Sequence, residues 1–272
     1  MLKDITLGQY FPINSPIHKL DPRVKILSSL AFIVAIFFVG DAVGFAFVAL
    51  FLGVVIALSK VRLSLIIKGV KPILFLILFT AVINLFMTGG EVLQVYGRPL
   101  QLGFLKITKE GLSNAIVMSL RLILLIVGTS LLTLTTSPII LTDGIERLLS
   151  PFQKIGLPAH ELAMMMTIAL RFIPTLLEET DKIMKAQMAR GADFESGNII
   201  NRVKALVPIL VPLFISSFRR ADELAIAMEC RCYRGGEGRT RLRELEIAGR
   251  DWLASGCMVL FLTGITLICI FW

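Results

Sequence analysis

Charged residues, histidine and cysteine are all scarce in this sequence. Charged side chains make up 18% of its 272 residues, whereas soluble chains average about 25%. The four cysteines all lie from Cys230 onward, and they are too few for a disulfide-stapled secreted module. Apolar side chains make up 56% of the sequence, too many for a disordered chain. Together with a mean hydropathy of +0.80, these proportions indicate an integral membrane protein.

Several motifs of nucleotide-binding and catalytic proteins are also missing. No Gly-x-x-x-x-Gly-Lys-Ser/Thr stretch occurs, so the chain has no P-loop for the phosphates of ATP. His160-Glu161 is not followed by a histidine four residues after His160, and the only other histidine is His18. A catalytic zinc site is therefore not expected. Cys230 and Cys232 supply only two soft ligands, and we expect neither a metal nor a cofactor.

Long apolar runs predict an all-α integral membrane protein with about five transmembrane helices. The run from Val24 to Leu58 would be about 50 Å long as one helix, well beyond a hydrocarbon core of about 30 Å, so we divide it at Gly40-Asp41. Asp21-Pro22 supplies an N-cap and a first-turn proline. The predicted spans are residues 24–40, 42–59, 72–88, 110–135 and 251–272.

Two features interrupt this membrane region. Residues 89–108 contain the turn signal Tyr96-Gly97-Arg98-Pro99, so we expect a loop or a small hairpin there. Arg121 lies inside the fourth predicted span. Because an arginine in a span is costly, its side chain is expected to face protein or to reach the interface.

The distribution of lysine and arginine predicts the orientation of the spans. Sixteen of the 28 lie between residues 137 and 250, and none lies in the turn at Asp41. Because cytoplasmic loops carry the excess of positive charge, we place the N-terminus and residues 137–250 in the cytoplasm. No cleavable signal peptide is recognisable before Arg23. The same rule accounts for the net charge of +8 without a nucleic-acid partner.

The predicted organisation therefore has three parts. Residues 1–136 form an N-terminal membrane region with four spans, residues 137–250 form a helical region on the cytoplasmic side, and residues 251–272 form the last span. The middle part opens with a short helix for which Thr142-Asp143 and Glu146 suggest a capping box. Two long helices follow, each apolar in its first half and amphipathic in its second.

The two long helices end in a similar way. The first runs from Pro158 to about Ala189 and contains Pro174, which we expect to bend it; the second begins near Ile200 and contains two prolines. Arg190 and Arg231 stand at or next to the two ends, and each is followed by glycine within a few residues. An ordinary helix cap accounts for one such arginine. A pair at separate points also fits docking into two carboxylate-lined grooves of a partner.

These features resemble the T component of energy-coupling factor (ECF) transporters, the EcfT or CbiQ-like family. The residues that carry the resemblance are the triplets Ala189-Arg190-Gly191 and Cys230-Arg231-Cys232 and the N-terminal run from Ser15 to Arg23. The resemblance extends over nearly the whole chain. The sequence departs from the family pattern where cysteines flank Arg231 in place of a small residue and glycine, and this raises a question about the local backbone shape.

The resemblance implies a function and a set of partners. The two triplets would end coupling helices that contact two ABC ATPase subunits. The membrane part would hold a substrate-binding S component for uptake of vitamins or other micronutrients across the cell membrane. The chain itself would be non-catalytic. The methionine run Met164-Met165-Met166 would then line a surface for the S component, although core packing accounts for it equally well.

Two alternatives remain from the residues alone. A polytopic membrane enzyme would need clustered carboxylates, and Glu178, Glu179 and Asp181 are close together. Nearby Lys182 and Lys185 instead indicate a solvated, salt-bridged face. A stand-alone secondary carrier would need ionisable groups within its spans, where the sequence has essentially only Arg121.

Overall fold

Most of the chain that the structure describes is helical. The computed structural model describes residues 10–89, 94–95, 98–99, 101–102, 105–106, 108–156, 158–192, 194, 199–236 and 245–271. These residues form the helices α1 (Pro22–Phe38), α2 (Ala42–Ser59), α3 (Leu63–Val70), α4 (Leu74–Met87), α5 (Lys109–Thr135), α6 (Pro138–Leu149), α7 (Ala159–Ala189), α8 (Ile199–Cys230) and α9 (Gly249–Phe271). The same described residues include 3₁₀ turns at Lys71–Ile73 and Ser150–Ile155. The predicted all-α fold class is confirmed.

Short strands lie between α4 and α5, where the sequence predicts a loop or a small hairpin. β1 (Gln94–Val95) pairs antiparallel with β2 (Arg98–Pro99), and β3 (Gln101–Leu102) pairs antiparallel with β4 (Leu105–Lys106). The hairpin is therefore confirmed, although the predicted turn residues Tyr96 and Gly97 lie outside the described residues.

Local signals set the first two helices as predicted. Asp21 Oδ1 accepts a hydrogen bond of 2.8 Å from the amide of Arg23, and Pro22 occupies the first turn, where its missing N–H is not needed. α1 ends at Phe38 and α2 begins at Ala42. The predicted break at Gly40-Asp41 is thus confirmed.

The predicted capping box at Thr142 is wrong. α6 begins four residues earlier, at Pro138, and the Thr142 hydroxyl donates 2.6 Å to the carbonyl of Ile139 inside the helix. The Ser137 hydroxyl instead accepts from the amide of Ile140 at 3.4 Å. Serine followed by proline is the stronger start signal, because proline presets the backbone angle of the first helical residue.

Among the residues that the structure describes, five helices are long and apolar enough to cross a membrane. They are Ala42–Ser59, Leu63–Met87, Lys109–Thr135, Ala159–Ala189 and Gly249–Phe271. This set differs from the predicted spans at two helices. α1, which corresponds to the first predicted span, is not in the set, because its 17 residues are at the lower limit for spanning. α7, which is not a predicted span, is in the set by its length and composition. The residues between the second and third predicted spans are helical from Leu63, so that α3, a 3₁₀ turn and α4 follow one another without a gap.

The chain forms two compact units. We call the larger one, Gly8–Gly144 with Leu245–Trp272, the core unit, and the smaller one, Met1–Leu7 with Ile145–Glu244, the helix-pair unit. The core unit is built around α1, α2, α5 and α9, whose buried side chains include Ile36, Val48 and Leu134.

Aromatic stacking joins three helices of the core unit. The ring of Phe261 in α9 stacks on Phe51 of α2 at 4.0 Å between centroids and on Phe32 of α1 at 6.1 Å. Gly128 of α5 admits Phe32, because a Cβ there would lie 2.3 Å from the ring. Since lipid is as apolar as this core, close van der Waals packing holds these helices together rather than burial from water.

Arg121 of α5 faces protein, as predicted. Its Nη2 donates 2.7 Å to the carbonyl of Val39, the residue that follows α1, and its guanidinium lies 5.9 Å from the centroid of Phe37. The carbonyl is free to accept because α1 has already ended, and it pairs one nitrogen of the guanidinium, whereas Nε is buried without a hydrogen-bond partner among the described residues.

Candidate functional site

The first of the two arginine triplets terminates α7. The amide of Gly191 donates to the carbonyl of Met188, and the amide of Ala192 donates to the carbonyl of Gln187, both at 3.0 Å. Gly191 has a φ of +86°. This pair of bonds with a left-handed residue is the Schellman motif, and Arg190 occupies its C-cap position. We call this triplet the first arginine end.

The second triplet terminates α8 with the same hydrogen bonds. The amide of Cys232 donates 2.8 Å to the carbonyl of Glu229, and the amide of Tyr233 donates 3.1 Å to the carbonyl of Met228. Cys232 takes the left-handed place of Gly191, with a φ of +56°. We call this triplet the second arginine end. The cysteines that replace the small residue and glycine therefore leave the backbone shape unchanged.

Both arginines are exposed at equivalent positions. Arg190 and Arg231 each follow the last residue of a long helix, where the unpaired carbonyls make the negative end of the helix dipole. Within the described part of the chain, neither guanidinium forms an ion pair. Each therefore presents its hydrogen-bond donors to the surroundings, which suits a carboxylate on another molecule.

Polar contacts join α7 to α8 in an antiparallel sense. Glu179 accepts hydrogen bonds from Ser216 and, at 2.8 Å, from Arg220, while Gln187 donates 3.3 Å to the carbonyl of Pro208. The later residue of α7, Gln187, contacts the earlier residue of α8, Pro208. From Pro208, α8 runs about 35 Å further to the second arginine end at 1.5 Å per residue, so the pairing keeps the two ends apart.

The acidic cluster of α7 is only partly the solvated face that the sequence suggests. Asp181 and Lys185 form an exposed i,i+4 salt bridge of 2.7 Å, which confirms that part of the prediction. Glu179 instead bonds α8. The periodicity of α7 gives no sign of this, because the partners Ser216 and Arg220 belong to another helix.

The first halves of α7 and α8 carry exposed apolar side chains. On α7, Met165 and Met166 are exposed and Met164 is half-buried; on α8, the exposed side chains include Leu210, Val211, Phe214 and Ile215. Phe214 has 65% of its surface exposed. An apolar surface of this size requires lipid or another apolar partner.

The N-terminal run lies in the core unit and forms a buried polar network. Lys25 Nζ donates to the carbonyls of His18 and Thr135 at 3.1 and 3.0 Å and to the Thr136 hydroxyl at 3.3 Å. Asp251, with 2% of its surface exposed, accepts 2.7 Å from the amide of Asp21 and 2.8 Å from that of Ala248. The run therefore ties the start of α1 to the end of α5 and to the start of α9.

Burial and hydrogen bonding shift the pKa values of His18 and Asp21 in this run. Burial lowers the pKa of His18, although its ring Nε2 bonds the carbonyl of Phe11 at 3.0 Å and this bond opposes the shift. Burial of Asp21 disfavours its charged form, but hydrogen bonds from Arg23 outweigh this and lower the pKa of the carboxyl. Sequence reasoning missed the contacts of Lys25 with Thr135 and of Asp251 with Asp21, because the residues of each pair are more than a hundred positions apart.

The cysteines do not form a cluster of ligands. Cys230, Cys232, Cys257 and Cys269 are free and exposed. Among the described residues, no group of three histidine, cysteine or acidic side chains could hold a metal ion.

Comparison with known proteins gives the family. Residues 13–242 match the CbiQ family, described as cobalt transport protein. The chain is 64% identical over 257 residues to the energy-coupling factor transporter transmembrane protein EcfT of Clostridium kluyveri, with 94% of each chain covered. It is 60% identical over 253 residues to the protein of that name from Thermosediminibacter oceani, with 93% of each covered. It is 50% identical over 252 residues to that of Bacillus subtilis, covering 92% of this chain and 93% of the relative. The chain therefore belongs to the EcfT family of energy-coupling factor transporter transmembrane proteins.

Proposed function

We propose that this chain is the coupling subunit of an ATP-driven importer. In this proposal, Arg190 and Arg231 dock on two ABC ATPase subunits, and the chain passes their motion to a substrate-binding S component for uptake of vitamins or other micronutrients. The observation that carries the proposal is the equivalence of the two arginine ends: one cap geometry occurs twice, each time with an exposed guanidinium at the C-cap. The chain contributes no catalytic group, and ATP hydrolysis belongs to the ATPases.

The chemistry of docking follows from the caps. A guanidinium presents five donors in a planar fork that matches a carboxylate in two parallel hydrogen bonds. The Schellman bonds hold the backbone of each arginine, so less conformational entropy is lost when a partner binds. Hydrogen bonds to charged groups contribute about 1.5–3 kcal/mol each, so even a single such bond from each arginine contributes about 3–6 kcal/mol in total.

Motion would be transmitted along the two long helices. Packed helices move as rigid bodies, and the contacts of Glu179 with Ser216 and Arg220 link α7 to α8 within the helix-pair unit. A displacement of either arginine end by its ATPase would therefore reach the apolar halves of both helices.

The exposed apolar halves of α7 and α8 suit the S component. Met165 and Met166 have flexible, polarisable side chains that adapt to different partner surfaces, and Phe214 supplies a large rigid one. We place the chain in the cell membrane with its N-terminus and coupling helices in the cytoplasm, because the excess of lysine and arginine lies there.

The decisive experiment is affinity purification of variants from native membranes. Arg190→Ala/Arg231→Ala should lose ATPase subunits from the purified complex by at least about a hundredfold, as the loss of about 3 kcal/mol requires, and should abolish uptake while insertion into the membrane is retained. The matched control is Lys182→Ala/Arg219→Ala, which removes two exposed cations from the same helices away from their ends. The control should keep both the ATPases and uptake.

Each other outcome contradicts the proposal. A wild-type chain that purifies without ATPases would be a lone carrier or an enzyme. Full uptake in the double arginine variant would exclude docking through these ends. For the S component, a photo-crosslinker at Phe214 should capture a small hydrophobic subunit. The comparison position is the exposed Phe75 of α4, where a crosslinker should capture less of that subunit.

A further inference from the structure

A packed contact involves Gly236, five residues after Arg231. His160, in the first turn of α7, has its Nδ1 2.9 Å from Glu146 Oε1 of α6, and the two side chains are 19% and 11% exposed. A carboxylate accepts hydrogen bonds, so Nδ1 donates. The other ring nitrogen, Nε2, is buried without a hydrogen-bond partner among the described residues. Glu146 therefore sets the orientation of the ring on one side, and packing sets it on the other.

Gly236 lies directly against this ring. A Cβ placed on Gly236 would be 2.6 Å from Cδ2, 2.8 Å from Cγ and 3.1 Å from Cβ of His160. Contacts below 3.0 Å do not occur for real Cβ atoms, so only glycine fits without displacing the histidine or the backbone. The preceding Gly235 has a φ of +87°, which also favours glycine.

The segment between α8 and this contact is short and is held at both ends. On one side the amide of Tyr233 closes the cap of α8 on the carbonyl of Met228. On the other side Gly236 packs against His160. Arg231 therefore lies between a helix end and a fixed point on the neighbouring helix.

We propose that His160 is a positioning residue for the second arginine end: oriented by Glu146 and packed beneath Gly236, it holds the segment that follows α8 and so fixes where Arg231 meets its ATPase. We call the three residues Glu146, His160 and Gly236 the brace. This inference rests on the proposed docking function. It adds that the second arginine end is positioned by the brace as well as by its cap.

The test measures the affinity of the ATPase pair for the purified chain in nanodiscs. Gly236→Ala should weaken binding on the order of tenfold, because the methyl group must displace the ring or the segment. The matched control is Gly249→Ala, where a Cβ meets nothing within 4 Å, and it should leave the affinity unchanged. Glu146→Gln, which keeps an acceptor for Nδ1, should retain more affinity than Glu146→Ala.

Combined variants separate positioning from a general loss of structure. Gly236→Ala should weaken binding in an Arg190→Ala chain but should add less than twofold in an Arg231→Ala chain, since the end that it positions is already inactive. It should also add little in a His160→Ala chain, which has lost the ring that the methyl group displaces.

The remaining outcomes overturn one proposal or the other. If Gly236→Ala has no effect, or has the same effect in the Arg231→Ala chain as in the wild type, His160 does not position Arg231. If neither Arg190→Ala nor Arg231→Ala weakens ATPase binding, the docking function itself fails. The two failures are therefore distinguishable.

Discussion

The left-handed residue after each arginine gives the sharpest test of the cap geometry. Cys232 has a φ of +56° and Gly191 a φ of +86°. A side chain in this region costs about 1–2 kcal/mol, whereas glycine costs about 0.5–1 kcal/mol more conformational entropy on folding. We therefore expect Cys232→Gly to stabilise the cap of α8 by about 0.5–1 kcal/mol, and Gly191→Ala to destabilise the cap of α7 by a similar amount.

Amide hydrogen exchange in nanodiscs measures this difference directly. The amides of Tyr233 and Ala192 close the two caps, so their exchange reports the opening of the last turn. A change of 1 kcal/mol alters the open population about fivefold. Exchange at Tyr233 should therefore slow by up to about fivefold in Cys232→Gly, and exchange at Ala192 should accelerate by a similar factor in Gly191→Ala.

The control for the thiol is Cys232→Ala. This variant removes the sulfur but keeps the Cβ, so the backbone cost remains and exchange at Tyr233 should match that of the wild type. Equal exchange in Cys232→Gly and Cys232→Ala would show that the left-handed conformation does not limit the cap, and the reasoning would be refuted.

Three further predictions concern the contacts that support the two units. Asp251→Asn should destabilise the core unit by about 1–3 kcal/mol, because the amide of Asp21 or of Ala248 would face an NH₂ group instead of an acceptor. The measurement is the thermal unfolding temperature in detergent. The same change at the exposed Asp41, which makes no side-chain cap bond, should alter that temperature little. Glu179→Gln should weaken the contact of α7 with α8 by about 1 kcal/mol, seen as faster amide exchange in both helices, whereas Glu178→Gln at an exposed position should not. Because burial lowers the pKa of His18 in the folded chain, its contribution to stability is present above the unfolded value of about 6.5 and is lost as the pH falls through that value towards the folded pKa; thermal unfolding from pH 8 to 5 should show a steeper decline for the wild type than for His18→Gln.

Much of the fold could be predicted because helix ends are set by neighbouring residues. Asp21-Pro22 and Gly40-Asp41 act within one turn of the chain, and α7 begins right after Pro158 and ends at Ala189, as expected. The predicted capping box at Thr142 is wrong because two local start signals lie close together. Ser137-Pro138 is the stronger of the two, and the helix begins there.

The contacts that support the candidate site could not be predicted from local pattern. Glu179 with Arg220, Lys25 with Thr135 and His160 with Gly236 each join residues on different elements. Sequence periodicity shows which face of a helix is apolar, but it does not show which residue of another helix meets that face. The sequence alone therefore predicts a solvated Glu179 and offers no role for His160 other than that of a zinc ligand.

At the second arginine end, the residue type that the motif predicts is missing, but the backbone conformation is present. The family pattern predicts glycine after the arginine, because glycine adopts a positive φ without steric cost. Cys232 adopts the same region, and both cap bonds form. The energy of two hydrogen bonds exceeds the cost of one side chain in the left-handed region. Arg231 therefore depends on the termination of α8 for its position, and any residue that permits that termination preserves the site.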